Sequence, residues 1–300
     1  MRTGIVILPE HRWWMAEHKW KAAEEYGFHY AWTYDHMGWR SLVDGPWFGA
    51  VPTLAAAASV TRKIRLGTLV ASPNFRHPVP FARDLLALDD LTDGRFTLGV
   101  GAGGVGYDTE VMGDTALDIR QGPRSRQRRF EEFVGSLDML LAQERTTFSG
   151  EYYEIRNARS APGCVQRPRL PFVVAANGPK SMAVAARYGT GWVTTGPETD
   201  DEAEWWRGVA RMTETFREVL AGIGRAKESI DFHLNADSCP VYSLTSVEHF
   251  RDVAGKARSL GFTDLITHWP RADGVYAGSE AVLEQVVTDV LPELVAGDTR

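Results

Sequence analysis

Cysteine is almost missing from this 300-residue chain, which has only Cys164 and Cys239. Two such thiols build no disulfide framework and lack the paired spacing of a zinc site, so both are expected to be ordinary thiols in a reducing compartment. Long apolar runs are missing too. No stretch approaches the ~20 apolar residues that span a bilayer. The opening MRTGIVILPEHRWW has neither the apolar core nor the small-residue cleavage site of a secretion signal. A cytoplasmic protein with no membrane partner is expected. Positive charge is in deficit, with 33 Lys and Arg against 39 Asp and Glu and a formal net charge of −6. Nucleic acid needs dense basic patches, so it is not an expected partner either. The eight histidines (His11, His18, His29, His36, His77, His233, His249 and His268) form neither H-x-H nor H-E-x-x-H, so no metal is expected. Without a G-x-S-x-G elbow, serine-hydrolase chemistry is set aside. No fixed-period repeat suggests a solenoid.

What is present is a large apolar fraction, 44% of residues, enough to bury one sizeable core in a single domain spanning 1–300. Short β-rich runs at 3–8, 29–34, 64–71, 96–100, 171–175, 192–195, 232–235 and 263–267 alternate with longer segments of helical periodicity. These helical segments cover 14–26, 52–60, 78–91, 126–143, 179–187, 201–221, 247–260 and 279–295. Strand–helix alternation forces parallel crossovers, and eight strands close a barrel. The predicted fold class is α/β, a (β/α)8 TIM barrel with insertions in the strand-end loops. A small hairpin is expected at 146–155 outside the repeat, and the long connections 104–122 and 158–169 are candidate substrate loops.

Residues just past a barrel strand face the active-site mouth. Asp35-His36 follows the second run, where a carboxylate fixing an imidazole suits proton exchange, although the pair could equally cap a surface loop. Ser72-Pro-Asn74-Phe-Arg76-His77 follows the third, with Asn74 placed to bond a heterocycle and Arg76 and His77 to supply positive charge. Gly101-Ala102-Gly103-Gly104-Val-Gly106 matches G-x-G-x-x-G after the fourth. It opens no long helix and meets no acidic residue at a second strand end, so it reads as a glycine-rich rim loop and not a dinucleotide fingerprint. Ala175-Ala-Asn177-Gly178-Pro179-Lys180-Ser181 follows the fifth, and glycine before a proline-led helix leaves backbone N–H groups free for a phosphate. Each of these four could also be an ordinary βα turn. A flat apolar ligand is expected among Trp13, Trp14, Trp39, Trp47 and Trp269.

Four stretches together resemble the luciferase-like monooxygenase and reductase superfamily: AEEYGFHYAWTYDH (23–36), IRLGT (64–68), DLTDGRFTLGVGAG (90–103) and AARYGTGW (185–192). The likeness covers nearly the whole chain, 4–294. It implies a TIM-like barrel, typically a homodimer, with a flavin or deazaflavin ring across the strand ends. On that likeness Gly178, Pro179 and Ser181 hold phosphate, and Leu69-Val70 sits at a bulge with a non-proline cis peptide behind the ring. Asp-His after the second strand resembles the branch that uses the deazaflavin coenzyme F420, FMN being the alternative. His36 is then the expected group for proton transfer or substrate orientation, with Asp35 orienting it. Leu69, Val70, Ser72, Asn74, Gly101, Ala102, Gly103, Gly104, Ala175, Asn177, Gly178, Pro179 and Ser181 are the expected cofactor contacts. The expected activity is hydride exchange between F420 and a small organic substrate. The alternatives are an FMN-dependent monooxygenase working with a partner flavin reductase, and a non-catalytic cofactor-binding barrel. No basic set for a sugar phosphate can be aligned around Trp192, Val241 and His268.

Overall fold

The computed structural model describes residues 1–104, 106–112 and 122–296. Val105 and residues 113–121, within the predicted connection 104–122, lie outside the described residues, as do 297–300.

Eight parallel strands close into a barrel: β1 (Arg2–Val6), β2 (Tyr30–Thr33), β3 (Arg65–Thr68), β4 (Phe96–Val100), β7 (Phe172–Ala175), β8 (Gly191–Thr194), β9 (Asp231–Asn235) and β10 (Asp264–His268). Their order around the ring is β1-β10-β9-β8-β7-β4-β3-β2. The eight predicted strands are all present, with no end shifted by more than three residues and 96–100 unchanged. The gap in numbering is the predicted hairpin, β5 (Arg145–Ser149) and β6 (Glu154–Arg159), which stands outside the barrel as a separate antiparallel pair.

Helices α1 (Trp13–Glu25), α2 (Ala50–Val60), α3 (Pro78–Leu91), α5 (Pro123–Ala142), α6 (Pro179–Tyr188), α7 (Glu202–Gly222) and α8 (Val247–Ser259) carry the chain between strands, with a short α4 (Tyr107–Val111) in the connection after β4. The predicted final helix is two, α9 (Glu280–Asp289) and α10 (Leu291–Ala296). Pro292 explains the break: proline donates no N–H and clashes one turn back, so it fits only in the first turn of a helix. The same rule places the start of α5 at Pro123, three residues before the expected 126.

Side chains alternate across each strand, so Tyr30, Trp32 and Tyr34 of the β2 segment point into the barrel. Trp32 is fully buried and fills the axis. A Cβ on Gly4 would lie 2.7 Å from its indole nitrogen, and one on Gly67 2.4 Å from its ring carbon. A single indole therefore takes the volume that branched side chains usually share, and its neighbours must be glycine.

At the amino-terminal end of the barrel Arg2 grips Asp264 through Nε (2.8 Å) and Nη2 (2.6 Å) and also meets Asp231 at 2.7 Å. Burial alone would raise the Asp264 carboxyl, but nearby His233, Arg2 and the Thr263 hydroxyl outweigh it and hold the carboxyl below its ordinary 3.8. A depressed carboxyl stabilises the fold above its unfolded value, about 3.9, and the contribution is lost as pH falls through the lower folded value. Asp264→Asn is expected to cost about 3 kcal/mol near neutral pH, at the low end for a broken buried pair because Arg2 keeps Asp231. Urea midpoints against pH should then show a shallower loss below about pH 4 than the parent. Parallel curves would show that Asp264 is not the titrating group.

Candidate active site

The carboxyl ends of the strands surround one cavity of about 970 Å³, at the upper end of the ~300–1,000 Å³ typical of ligand sites. A hollow of about 620 Å³ elsewhere is bounded by α8 side chains alone, such as Arg251 and Lys256, and lies on the outer surface. Of the residues expected at the site, His36, Leu69, Val70, Ala175 and Asn177 line the larger cavity directly. The Leu69–Val70 peptide is cis, as expected. Gly101 lies against the same floor, since a Cβ there would sit 2.8 Å from Val70 and 3.4 Å from Ala175. Gly178, with Pro179 at the first turn, opens α6 at the same end of the barrel, and the Ser181 hydroxyl closes the turn by donating to the Gly178 carbonyl at 2.9 Å. Space in front of Gly104 and Gly178 is open, so a ligand can reach their backbone.

His36 is held differently from the expectation. Asp35 does not orient it. Alternation turns Tyr34 and His36 towards the mouth and Asp35 away, into a buried pair with Arg76 at 2.7 and 2.9 Å. Arg76, expected to offer its charge to a ligand, spends it there. The His36 partner is Asp108 of α4, whose Oδ2 lies 2.6 Å from Nδ1 while its Oδ1 accepts the Met37 N–H at 2.7 Å. Trp47 donates its indole N–H to the His36 carbonyl at 2.8 Å. A carboxylate already fixed by a backbone amide takes the Nδ1 proton of a neutral imidazole and leaves Nε2 with its lone pair. Nε2 has no partner among the described residues.

Three other expected contacts are committed to the loops. Ser72 Oγ accepts the Asn74 N–H, and Asn74 donates to the Gly104 carbonyl (3.1 Å) while accepting from Arg129 (3.0 Å). A Cβ on Gly103, whose φ is +69°, would strike the Asn74 amide at 2.4 Å. Ser72 and Asn74 thus brace the glycine rim from behind. Asn177 ties the end of β7 to the turn after β8 through Thr194, Thr195 and the Gly196 carbonyl. The tryptophan pocket is corrected: only Trp39 lines the cavity, and Trp47 packs beside it. Trp14 is 74% exposed on α1, Trp13 packs on the outer core, and Trp269 is buried against Tyr26 and Glu280.

A second Asp–His pair was not anticipated. Asp237, after β9, accepts from His268 Nδ1 at 2.9 Å, and His268 Nε2 lies 2.8 Å from the Tyr34 hydroxyl, itself 3.0 Å from the Tyr276 hydroxyl. Applying the strand-end rule to β9 and β10 would have found Asp237 and His268. No local signal marks Asp108, 72 residues from its partner. Asp231, His233 and Asp264 form the one cluster of metal-type ligands among the described residues. It sits at the amino-terminal strand ends, where the Arg2 guanidinium already bridges both acids.

Comparison with known proteins agrees with the family resemblance and the barrel. The model of the luciferase-like monooxygenase family matches residues 1–268. An F420-dependent glucose-6-phosphate dehydrogenase of Beutenbergia cavernae is 30% identical, over 93% of this chain and 92% of its own. An F420-dependent hydroxymycolic acid dehydrogenase of Mycobacterium tuberculosis is 32% identical over 60% of this chain and 49% of its own. Among solved structures, the coenzyme F420 dependent tetrahydromethanopterin reductase of Methanopyrus kandleri superposes with a TM-score of 0.74 at 17% identity, covering 98% of this chain and 99% of that one. An F420-dependent secondary alcohol dehydrogenase does so at 0.76 and 18%, covering 98% of each chain. At these identities the structural likeness establishes the barrel.

Proposed function

We propose, from the premise that this chain belongs to the luciferase-like monooxygenase family, that it is an F420-dependent oxidoreductase exchanging a hydride between the deazaflavin and a small organic substrate. The observation that carries the mechanism is His36, pinned at Nδ1 by Asp108 with Nε2 open to the cavity. The residues present fit the cofactor. Leu69, Val70 and Ala175 make an apolar floor for a planar ring, Gly101 packs against that floor, and the open face of Gly104, beside Ala102 and Gly103, lets the ring approach the backbone. Gly178, Pro179 and Ser181 at the start of α6 would hold its phosphate, with Asn177 bracing the turn beside them. When bound, the deazaflavin supplies the hydride chemistry. His36 takes or returns the substrate proton at Nε2, Asp108 keeps the ring oriented, and the Asp35–Arg76 pair and Asn74 keep the rim loops in place. The active form is expected to be one domain per chain, as a cytoplasmic homodimer. No described helix is long and apolar enough to cross a membrane.

Titration of the purified protein with F420 and with FMN, followed by hydride-exchange assays with and without oxygen, tests this. Binding of F420 and oxygen-independent turnover are expected. FMN binding in place of F420 overturns the cofactor, and binding without turnover on any alcohol or carbonyl compound favours a sensor.

Asp108→Asn keeps the size of the side chain but removes the carboxylate that fixes the ring. Turnover should fall roughly 10–100-fold, as for lost partners of a working histidine. F420 affinity should stay within a few-fold. Unchanged turnover would mean that α4 does not set the ring.

A further inference from the structure

The hydrogen bonds around Tyr34 have a fixed direction. Its ring stands edge-on between two imidazoles, with centroids 5.9 Å from His36 and 5.5 Å from His268. Asp237 accepts backbone N–H groups from His268 (2.6 Å) and Ser243 (2.9 Å), so it acts as an acceptor and takes the Nδ1 proton of His268. Burial pushes His268 below its usual 6.5, leaving the ring neutral and its Nε2 a lone pair. The Tyr34 hydroxyl must therefore donate to His268, and the Tyr276 hydroxyl must donate to Tyr34. Burial raises Tyr34 well above 10 and Tyr276 to about 12, so both phenols keep their protons in neutral solution. The Tyr276 oxygen is left with lone pairs at the cavity wall. His36, fixed by Asp108, likewise offers a lone pair when neutral.

With a neutral His36, both of these polar groups, Nε2 and the Tyr276 oxygen, are hydrogen-bond acceptors. Arg40 is the one Lys or Arg side chain lining it among the described residues, against Glu198, Asp200 and Asp237. A substrate phosphate or carboxylate near Glu198, Asp200 and Asp237, away from the α6 start, would meet like charge, whereas an uncharged hydroxyl compound brings the donors that these two acceptors lack. Trp39, stacked on Tyr276 at 5.8 Å, adds an aromatic face for its carbon skeleton.

We propose that the cavity takes an uncharged alcohol with at least two hydroxyl groups, one donating to His36 Nε2 and another to the Tyr276 oxygen. The proposal rests on the oxidoreductase reading above. The hydroxyl at His36 is the one oxidised. Its O–H proton passes to Nε2, the carbon's hydrogen leaves with its bonding pair to the deazaflavin, and C=O forms. Tyr276 sets specificity, and Tyr34, His268 and Asp237 position it.

The test compares cyclohexane-1,4-diol, cyclohexanol, glucose and glucose 6-phosphate with the F420-loaded enzyme. The diol should show a KM roughly tenfold below that of cyclohexanol at similar kcat, about one hydrogen bond's worth. Tyr276→Phe should erase that gap by raising the diol KM alone. Tyr34→Phe frees the Tyr276 proton to turn inward, so cyclohexanone, a pure acceptor, should inhibit several-fold more strongly, which loosened packing would not produce. A preference of tenfold or more for glucose 6-phosphate over glucose overturns the proposal. So does a diol-to-cyclohexanol ratio that is flat in the parent or unmoved by Tyr276→Phe, or unchanged cyclohexanone inhibition. Should F420 fail to bind, the cofactor reading falls by itself. The same ratios are then read from quenching of tryptophan fluorescence by each alcohol on the free protein, with the same outcomes for or against.

Discussion

His36→Ala is expected to lower turnover by ~100-fold or more while leaving F420 affinity within about tenfold of the parent. The imidazole is the one described group at the cavity wall whose ring is fixed on one side by a carboxylate and free on the other. Alanine leaves Asp108 facing the cavity, and a carboxylate there can bind water but cannot present a neutral acceptor at the Nε2 position. Positioned proton transfer contributes ~10²–10⁴ in rate, so a loss at the low end of that range is the least the assignment allows. The floor formed by Leu69, Val70 and Ala175 does not touch this change, which is why binding should survive. Single-turnover hydride exchange together with an F420 titration separates the two effects. A variant that turns over like the parent removes His36 from the chemistry.

Gly99→Ala should damage the fold more than any other single methyl group. A Cβ at Gly99 would lie 1.9 Å from the Thr68 carbonyl oxygen and 3.0 Å from its carbon. Both are main-chain atoms of β3, so no rotamer change relieves the overlap, and β3 and β4 must part. Overpacking of this kind costs ~1–3 kcal/mol when side chains can give way, and here the loss should exceed ~3 kcal/mol. Leu69, Val70 and Gly101 stand on the same two strands' exits, so F420 binding should fail with the fold. Gly255→Ala is the matched control. It sits on the exposed face of α8 with nothing within 4 Å of a new Cβ, and should gain ~0.5–1 kcal/mol. Urea midpoints decide both, and a Gly99→Ala protein as stable as its parent would contradict the packing described.

How much could be read before the structure depends on how local each signal is. The strand runs, the proline-led starts of α3 and α6, and the glycines after β4 and β7 are written in neighbouring residues, and they emerged with ends shifted by a few positions. Pro292 is a local signal too, and it divides the final helical run where the periodicity alone continues to 295. The position of His36 was legible because barrel strands present their carboxyl ends to one mouth. Its partner was not. Asp35 is adjacent in sequence, but alternation turns adjacent side chains to opposite faces, and Arg76 lies where Asp35 points. The tryptophans failed similarly, since a residue type says nothing about which side of a helix or loop it occupies.

The order of strands and helices, and hence the closed parallel ring with its mouth at the strand ends, follows from the chain alone, because hydrophobic period and turn chemistry act over a few residues. Tertiary structure alone decided that Asp108, not Asp35, holds His36, that Asp237, His268, Tyr34 and Tyr276 form one directed chain, and that the cavity presents acceptors with little positive charge. Those are contacts between segments up to 242 residues apart, and a hydrogen bond's direction is set by what each partner has already donated elsewhere.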